Sequence, residues 1–139
     1  MKIFGHIRSL GPGDVALPIG TSRPRAQSSR GVYGAGVAER SFFKALLHYA
    51  DFDEFHFYLP RGYLARERTF RKDYFGEFEG DERIRLFELE SLRENLSKYT
   101  YHVFHQPLGL AIGPLIYLRN LLSPRNFPIT GITHTISYQ

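Results

Sequence analysis

The sequence contains no cysteine. It can therefore form no disulfide, no thiolate metal site and no cysteine nucleophile, and a reducing compartment suits it. Long apolar runs are missing too. The longest, Leu108 to Leu118, is far short of a membrane span, and the opening MKIFGHIRSL lacks the apolar centre of a signal peptide. A soluble, cytoplasmic protein is expected. No Ser/His/Asp triad, His-Glu-x-x-His sequence, Walker loop or RNA-binding aromatic signature is present, so hydrolase, metalloprotease and nucleoside-triphosphatase chemistry have no local support. Lysine is scarce: of the 18 cationic side chains, 14 are arginine and only Lys2, Lys44, Lys72 and Lys98 are lysine. With a net charge of +4, that bias favours planar, bidentate recognition of anions. Glu67 and Asp73 interleave the arginines between Arg61 and Arg71, which reads as a solvated helix face.

What is present suits one modest core: 139 residues, 42% of them apolar. Lys2 to Ile7 reads as a strand. A long Gly, Pro, Ser and Arg segment from Arg8 to Arg30 follows, and loops longer than about 15 residues are usually functional or disordered. From Val37 to Tyr49, Ala38, Phe42, Ala45, Leu46 and Tyr49 recur at helical spacing, with Glu39, Arg40, Lys44 and His48 assigned to the solvent face. Glu54 to Leu59, ended by Pro60, is a second strand, and Leu64 to Phe75 a surface helix. Ile84 to Leu89 mixes polar and apolar residues on both faces, which suits an edge strand. Ser91 and Glu94 spell a capping box for a short helix. Tyr101 to His105 is a fourth strand, Pro114 to Leu122 a helix with proline first, and Phe127 to Ile136 a fifth strand.

This alternation predicts an α/β, Rossmann-like parallel sheet of about five strands in order 3-2-1-4-5, with helices on both faces. Ligands then gather outside the carboxyl ends of the strands where the order reverses, above strands one and four. The segments expected there are the loop from Arg8 to Gly36, His105, and Thr133 to Ser137. Gly31, Gly34 and Gly36 precede the first helix, so amides around them could approach a phosphate, with Arg30 beside them. The spacing G-x-x-G-x-G is not the dinucleotide fingerprint. His134, flanked by the hydroxyls of Thr133, Thr135 and Ser137, could donate hydrogen bonds to a substrate or shuttle a proton. His6, His56 and His102 fall within strands and read as packing residues. The Asp51-x-Asp53 pair has metal-diphosphate spacing but falls at the amino edge of the sheet and reads as a solvated turn, so no metal site is expected.

Two stretches, GVYGAGVAERSFFKALLHYADFDEFHFYLP and FPITGITHTISYQ, resemble the amino-terminal domain of two-domain (GT-B type) glycosyltransferases, especially the retaining family-four group. The first matches the glycine-rich turn, first helix and second strand, with Glu39, Arg40, Ala45 and Leu46 at the family's Glu-Arg and Ala-Leu positions. The second matches the fifth-strand segment, with His134 at the family's histidine. The basic insertion after strand one is longer than the family's loop. The resemblance implies that residues 1–139 are the acceptor-side domain of a larger two-domain enzyme. A complete form would transfer a sugar from a nucleotide-sugar donor, held mainly by a second domain, to a saccharide or lipid-linked acceptor. It implies His134 as the catalytic contact to the transferred sugar and the amides around Gly34 and Gly36 as approaching the donor phosphates or the acceptor; position at the carboxyl ends of the strands adds Arg30, His105, Thr133 and Ser137 as substrate- or phosphate-binding residues. No tightly bound cofactor and no nucleic acid are expected, and a lipid-linked acceptor would bring the cytoplasmic enzyme into peripheral contact with the inner face of the membrane. Two alternatives stay open: a non-catalytic phosphate- or nucleic-acid-binding module using loop 8–30, which strong salt dependence would reveal, and a non-catalytic interaction domain whose last strand pairs with another chain.

Overall fold

The computed structural model describes residues 1–7, 34–106 and 112–131, apart from the side chains of residues 34–36. Among these residues five parallel strands form one sheet: β1 (Ile3–Ile7), β2 (Glu54–Leu59), β3 (Ile84–Glu88), β4 (Val103–His105) and β5 (Ile129–Thr130). Their spatial order is β3-β2-β1-β4-β5, as the alternation of elements predicts. Between them run α1 (Gly34–Tyr49), α2 (Glu67–Phe75), α3 (Leu92–Lys98) and α4 (Ile112–Leu122).

Strand β1 lies at the centre and is buried along its whole length, because β2 and β4 pair with it on either side and helices cover both faces. Its alternation divides the core in two. Phe4 joins Phe43, Leu47, Phe55, Phe57 and Phe75 under α1 and α2. Ile3 and Ile7 join Tyr58, Leu96, Tyr101, Phe104 and Leu115 under α3 and α4. Gly5 stands between the two isoleucines, and a β-carbon there would lie 2.3 Å from Cδ2 of Phe104. The Phe104 ring occupies the volume that any side chain at position 5 would need. Among the described residues strand β3 pairs only with β2 and is an edge, as its mixed pattern indicates.

Several local expectations change. Helix α1 buries Glu39, Phe43 and Leu47, with Phe42 and Leu46 partly covered, whereas Ala38 and Ala45 are exposed and Tyr49 is 82% exposed. The inward stripe is thus rotated by one residue from the one the periodicity suggested. Phenylalanine and leucine side chains reach deeper than alanine and the terminal tyrosine, so burying them gains more. The helix also starts at Gly34, so Gly34 and Gly36 lie within its first turn and not ahead of it. Segment 64–75 divides into a 3-10 turn (Leu64–Arg66) and α2, which buries Phe70, Tyr74 and Phe75 and is no purely surface helix. Ser91 makes no side-chain capping bond, because a 3-10 turn (Leu89–Ser91) leads into α3 and already places Ser91 in helical geometry. Helix α4 begins two residues before Pro114. His102 precedes β4 and is exposed, so it is not a packing residue. The described part of the fifth strand is Ile129–Thr130. No described helix is long and apolar enough to cross a membrane.

The acidic pair at the amino edge behaves as a turn. Asp53 accepts a hydrogen bond from the backbone N–H of Lys2 at 2.6 Å, and Asp51 pairs with Lys2 Nζ at 3.2 Å, tying β1 to the start of β2. Arg83 stitches the opposite side of the first layer. Its Nη2 donates to the Leu47 carbonyl near the end of α1 at 2.7 Å and also reaches Asp81 Oδ2 at 2.7 Å. A cation on the last turn of a helix satisfies a carbonyl that has no partner within the helix.

Candidate functional site at the carboxyl ends of β1 and β4

The strand order reverses at β1, whose neighbours β2 and β4 lead away in opposite directions, and in such sheets ligands gather outside the carboxyl ends of the strands at that point. Parallel register sets His6 of β1 beside His105 of β4 on the face covered by α1. Their rings stack 5.7 Å apart with 22° between planes. His6 also packs on Phe43, with ring centroids 4.4 Å apart, and His105 packs on Phe42 at 4.9 Å.

Both ring nitrogens of His6 are engaged. Nδ1 lies 3.0 Å from the backbone carbonyl oxygen of His105. Because that oxygen can only accept, Nδ1 carries the hydrogen. Nε2 faces Oε1 of Glu39 at 2.9 Å. That contact needs one proton, held either on the imidazole as a charged pair or on the carboxyl group as a neutral one. His6 is wholly buried and Glu39 is 6% exposed, so the pair is shielded from water. A carboxylate at such depth is tolerated only with partners, which is why Glu39 faces inward despite the polar character of its position in the sequence.

Around the pair, Nδ1 of His105 lies 3.0 Å from the Thr130 hydroxyl on β5. The Gln106 N–H donates to the Thr130 carbonyl at 2.8 Å. Gln106 is 1% exposed, and its side-chain Oε1 has no hydrogen-bond partner among the described residues. A buried carbonyl oxygen left unpaired costs about 1–3 kcal/mol and calls for a reason. Gly131 closes the rim: a β-carbon there would lie 2.8 Å from the Gln106 carbonyl oxygen, so only glycine lets the chain leaving β5 pass so close to β4.

Of the expected site residues, His105 ends β4 beside His6 of β1, and Gly34 and Gly36 open α1, whose second turn carries the Glu39 that is bonded to His6. Arg30, Thr133, His134 and Ser137 lie outside the described residues. Gly31, Thr135 and the whole of the long basic loop 8–30 do as well. Sequence reasoning missed His6, Glu39, Thr130 and Gln106. His6 is more than the packing residue its strand position suggested. The available signal was its place one residue from the end of the strand where the order reverses, together with Glu39 in the quoted Glu-Arg pair.

A second polar network lies under α3, on the other face of the sheet. His56 Nδ1 meets the Tyr101 hydroxyl at 3.0 Å and Nε2 meets Glu54 Oε2 at 2.6 Å, while Tyr101 also bonds the Tyr58 hydroxyl. Burial pushes the His56 pKa below its usual value, partly offset by the hydrogen bond and charge of Glu54 and aided by Arg85. Burial pushes the Tyr58 hydroxyl up to about 12 and Tyr101 well above the usual phenol range. These phenols stay protonated at any physiological pH and serve as hydrogen-bonding struts. Among the described residues no cluster of three or more His, Asp or Glu side chains is arranged to hold a metal. No protein-family model matches the chain, and neither does any curated protein or solved structure.

Proposed function

We propose that this chain is the acceptor-side domain of a two-domain glycosyltransferase, which moves a sugar from a nucleotide-sugar donor to a saccharide or lipid-linked acceptor. The observation that carries the reading is the buried His6–Glu39 pair at the reversal of strand order. With both ring nitrogens occupied, His6 is a positioning residue. It anchors Glu39, and through it the amino-terminal turns of α1, against β1 and β4. On this reading the amides at Gly34 and Gly36 would present the positive pole of α1 to the anionic part of the donor. In glycosyl transfer the bond between the anomeric carbon and the diphosphate oxygen breaks and an acceptor oxygen bonds to that carbon. The diphosphate oxygen gains negative charge as its bond breaks, and the proton of the acceptor hydroxyl passes to the departing diphosphate. A preorganised donor at that charge stabilises the transition state, and removal of one such donor typically costs about 2.7–4 kcal/mol. His134, following the resemblance, contacts the transferred sugar, with Thr133 and Ser137 beside it and Arg30 on the phosphate side.

The test is release of nucleoside diphosphate from a panel of nucleotide sugars by the native full-length polypeptide, with saccharide and lipid-linked acceptors. Sugar-dependent release that drops about a hundred-fold in Glu39→Ala, with substrate affinity less affected, is the expected result if loss of that anchor displaces the Gly34 and Gly36 amides from the transition state. Absence of release from every nucleotide sugar, or an unaltered kcat in Glu39→Ala, sinks the reading.

A further inference from the structure

A cleft of about 610 Å³ is lined by α1, the connection leaving β2, and α2. The size is that of a small-molecule pocket. Three guanidinium groups line it, Arg40 from α1 and Arg61 and Arg66 from the connection, against the single carboxylate of Asp73. Gly62, with φ +97°, turns the chain sharply after β2 and sets Arg61 and Tyr63 on the cleft wall. Arg61 pairs with Glu90 at 3.4 Å, but both side chains are more than half exposed, so the contact is weak and Arg61 is able to swing. Among the described residues neither Arg40 nor Arg66 is within ion-pair distance of a carboxylate; Arg40 lies over the Tyr74 ring, 5.9 Å from its centroid. Tyr63 and Phe70 supply an apolar wall, their rings edge to face at 5.8 Å, and Thr69 adds a hydroxyl.

We infer that this cleft binds a phosphate monoester carrying a ring, with the phosphate on Arg40 and Arg66 and the ring along the Tyr63–Phe70 wall. Guanidinium groups bind phosphate oxygens bidentately, and Arg40 is held ready by its contact with Tyr74. An aromatic wall beside the cations favours a phosphate with an attached ring over the free ion. The inference does not depend on glycosyl transfer. It needs only a folded chain, and it concerns a cleft separate from the His6–Glu39 pair.

The experiment is calorimetric titration of the full chain with phenyl phosphate and, separately, inorganic phosphate. Phenyl phosphate should bind more tightly than inorganic phosphate. Arg40→Gln and Arg66→Gln should each weaken phenyl phosphate by about ten-fold, the loss of one charge-assisted contact. Ala65→Trp, which fills the cleft from an exposed position without changing charge, should abolish binding. Circular dichroism establishes that each variant is folded. If the wild type binds neither probe at millimolar concentration, or folded Arg40→Gln and Ala65→Trp bind as the wild type does, the inference is wrong. Equal affinity for the two phosphates would remove the ring subsite and overturn the ligand class.

Discussion

Replacing Gly5 by alanine tests the packing that brings His6 to the rim. The added β-carbon would lie 2.3 and 2.4 Å from two ring carbons of Phe104 and 2.9 Å from Cδ1 of Tyr101. The ring cannot easily retreat: Phe104 is fully buried, with neighbouring ring centroids at 5.2 Å for Tyr101, 5.9 Å for Phe127 and 6.0 Å for Tyr58. Backbone retreat is no easier, because β1 is hydrogen-bonded to β2 and β4 on both sides. Overpacking a well-filled core typically costs about 1–3 kcal/mol, and two flanking strands that cannot part argue for the upper end. A loss of about 3 kcal/mol in a chain of this size lowers Tm by roughly 10 °C. Chemical denaturation and thermal melts followed by circular dichroism measure it. The double variant Gly5→Ala/Phe104→Leu should be less destabilised than the two single losses added together, because the smaller side chain makes room for the new methyl. A Gly5→Ala protein within about 0.5 kcal/mol of wild type would refute the close approach.

Acid should weaken the protein partly through His56. Its folded pKa lies below the ordinary 6.5, so the unfolded chain binds more protons below pH 6.5 and stability falls as the pH drops from there. His56→Gln should flatten that decline in melts between neutral and mildly acidic pH, and an unchanged slope would remove His56 as a cause. Arg83→Met should cost about 1–2 kcal/mol in denaturant unfolding by stranding the Leu47 carbonyl and the Asp81 carboxylate. Asp81 is held below its usual 3.8 chiefly by the hydrogen bond from Arg83, so its contribution is present above that pH and fades as the pH falls below it. The variant should lose that part of the acid dependence. Gly131→Val should disturb the rim between β4 and β5, because its β-carbon would meet the Gln106 carbonyl oxygen at 2.8 Å. Nuclear magnetic resonance shifts concentrated at Gln106, His105 and Thr130 are the expected outcome, and shifts confined to residue 131 would contradict it.

The elements legible in the sequence were those with strong local signals. Strand β2 falls where the aromatic run ended by Pro60 put it, and β3 is the edge its mixed pattern implied. The stripe of α1 was harder to read. Phe42, Phe43, Leu46 and Leu47 are adjacent pairs, so either of two overlapping faces satisfies the period, and Glu39 looked like a solvent residue. His105 was recognisable as a rim residue because it ends a strand next to the reversal of order. Its partners His6 and Thr130 were not, nor was the Glu39 that bonds His6, since these come from β1, β5 and α1, separated by long stretches of chain.

By itself the sequence determined the alternation of strand and helix, the parallel sheet this implies, the absence of thiol chemistry and the arginine-rich balance of charge. These follow from local periodicity and composition, which need no knowledge of neighbours in space. Only the tertiary structure decided that Glu39 turns inward, that His6 spends both ring nitrogens on α1 and β4, and that Arg40 and Arg66 share a cleft. The physical reason is desolvation. A carboxylate or an imidazole can leave water only where a partner already waits, and which groups wait there is set by strand order and register.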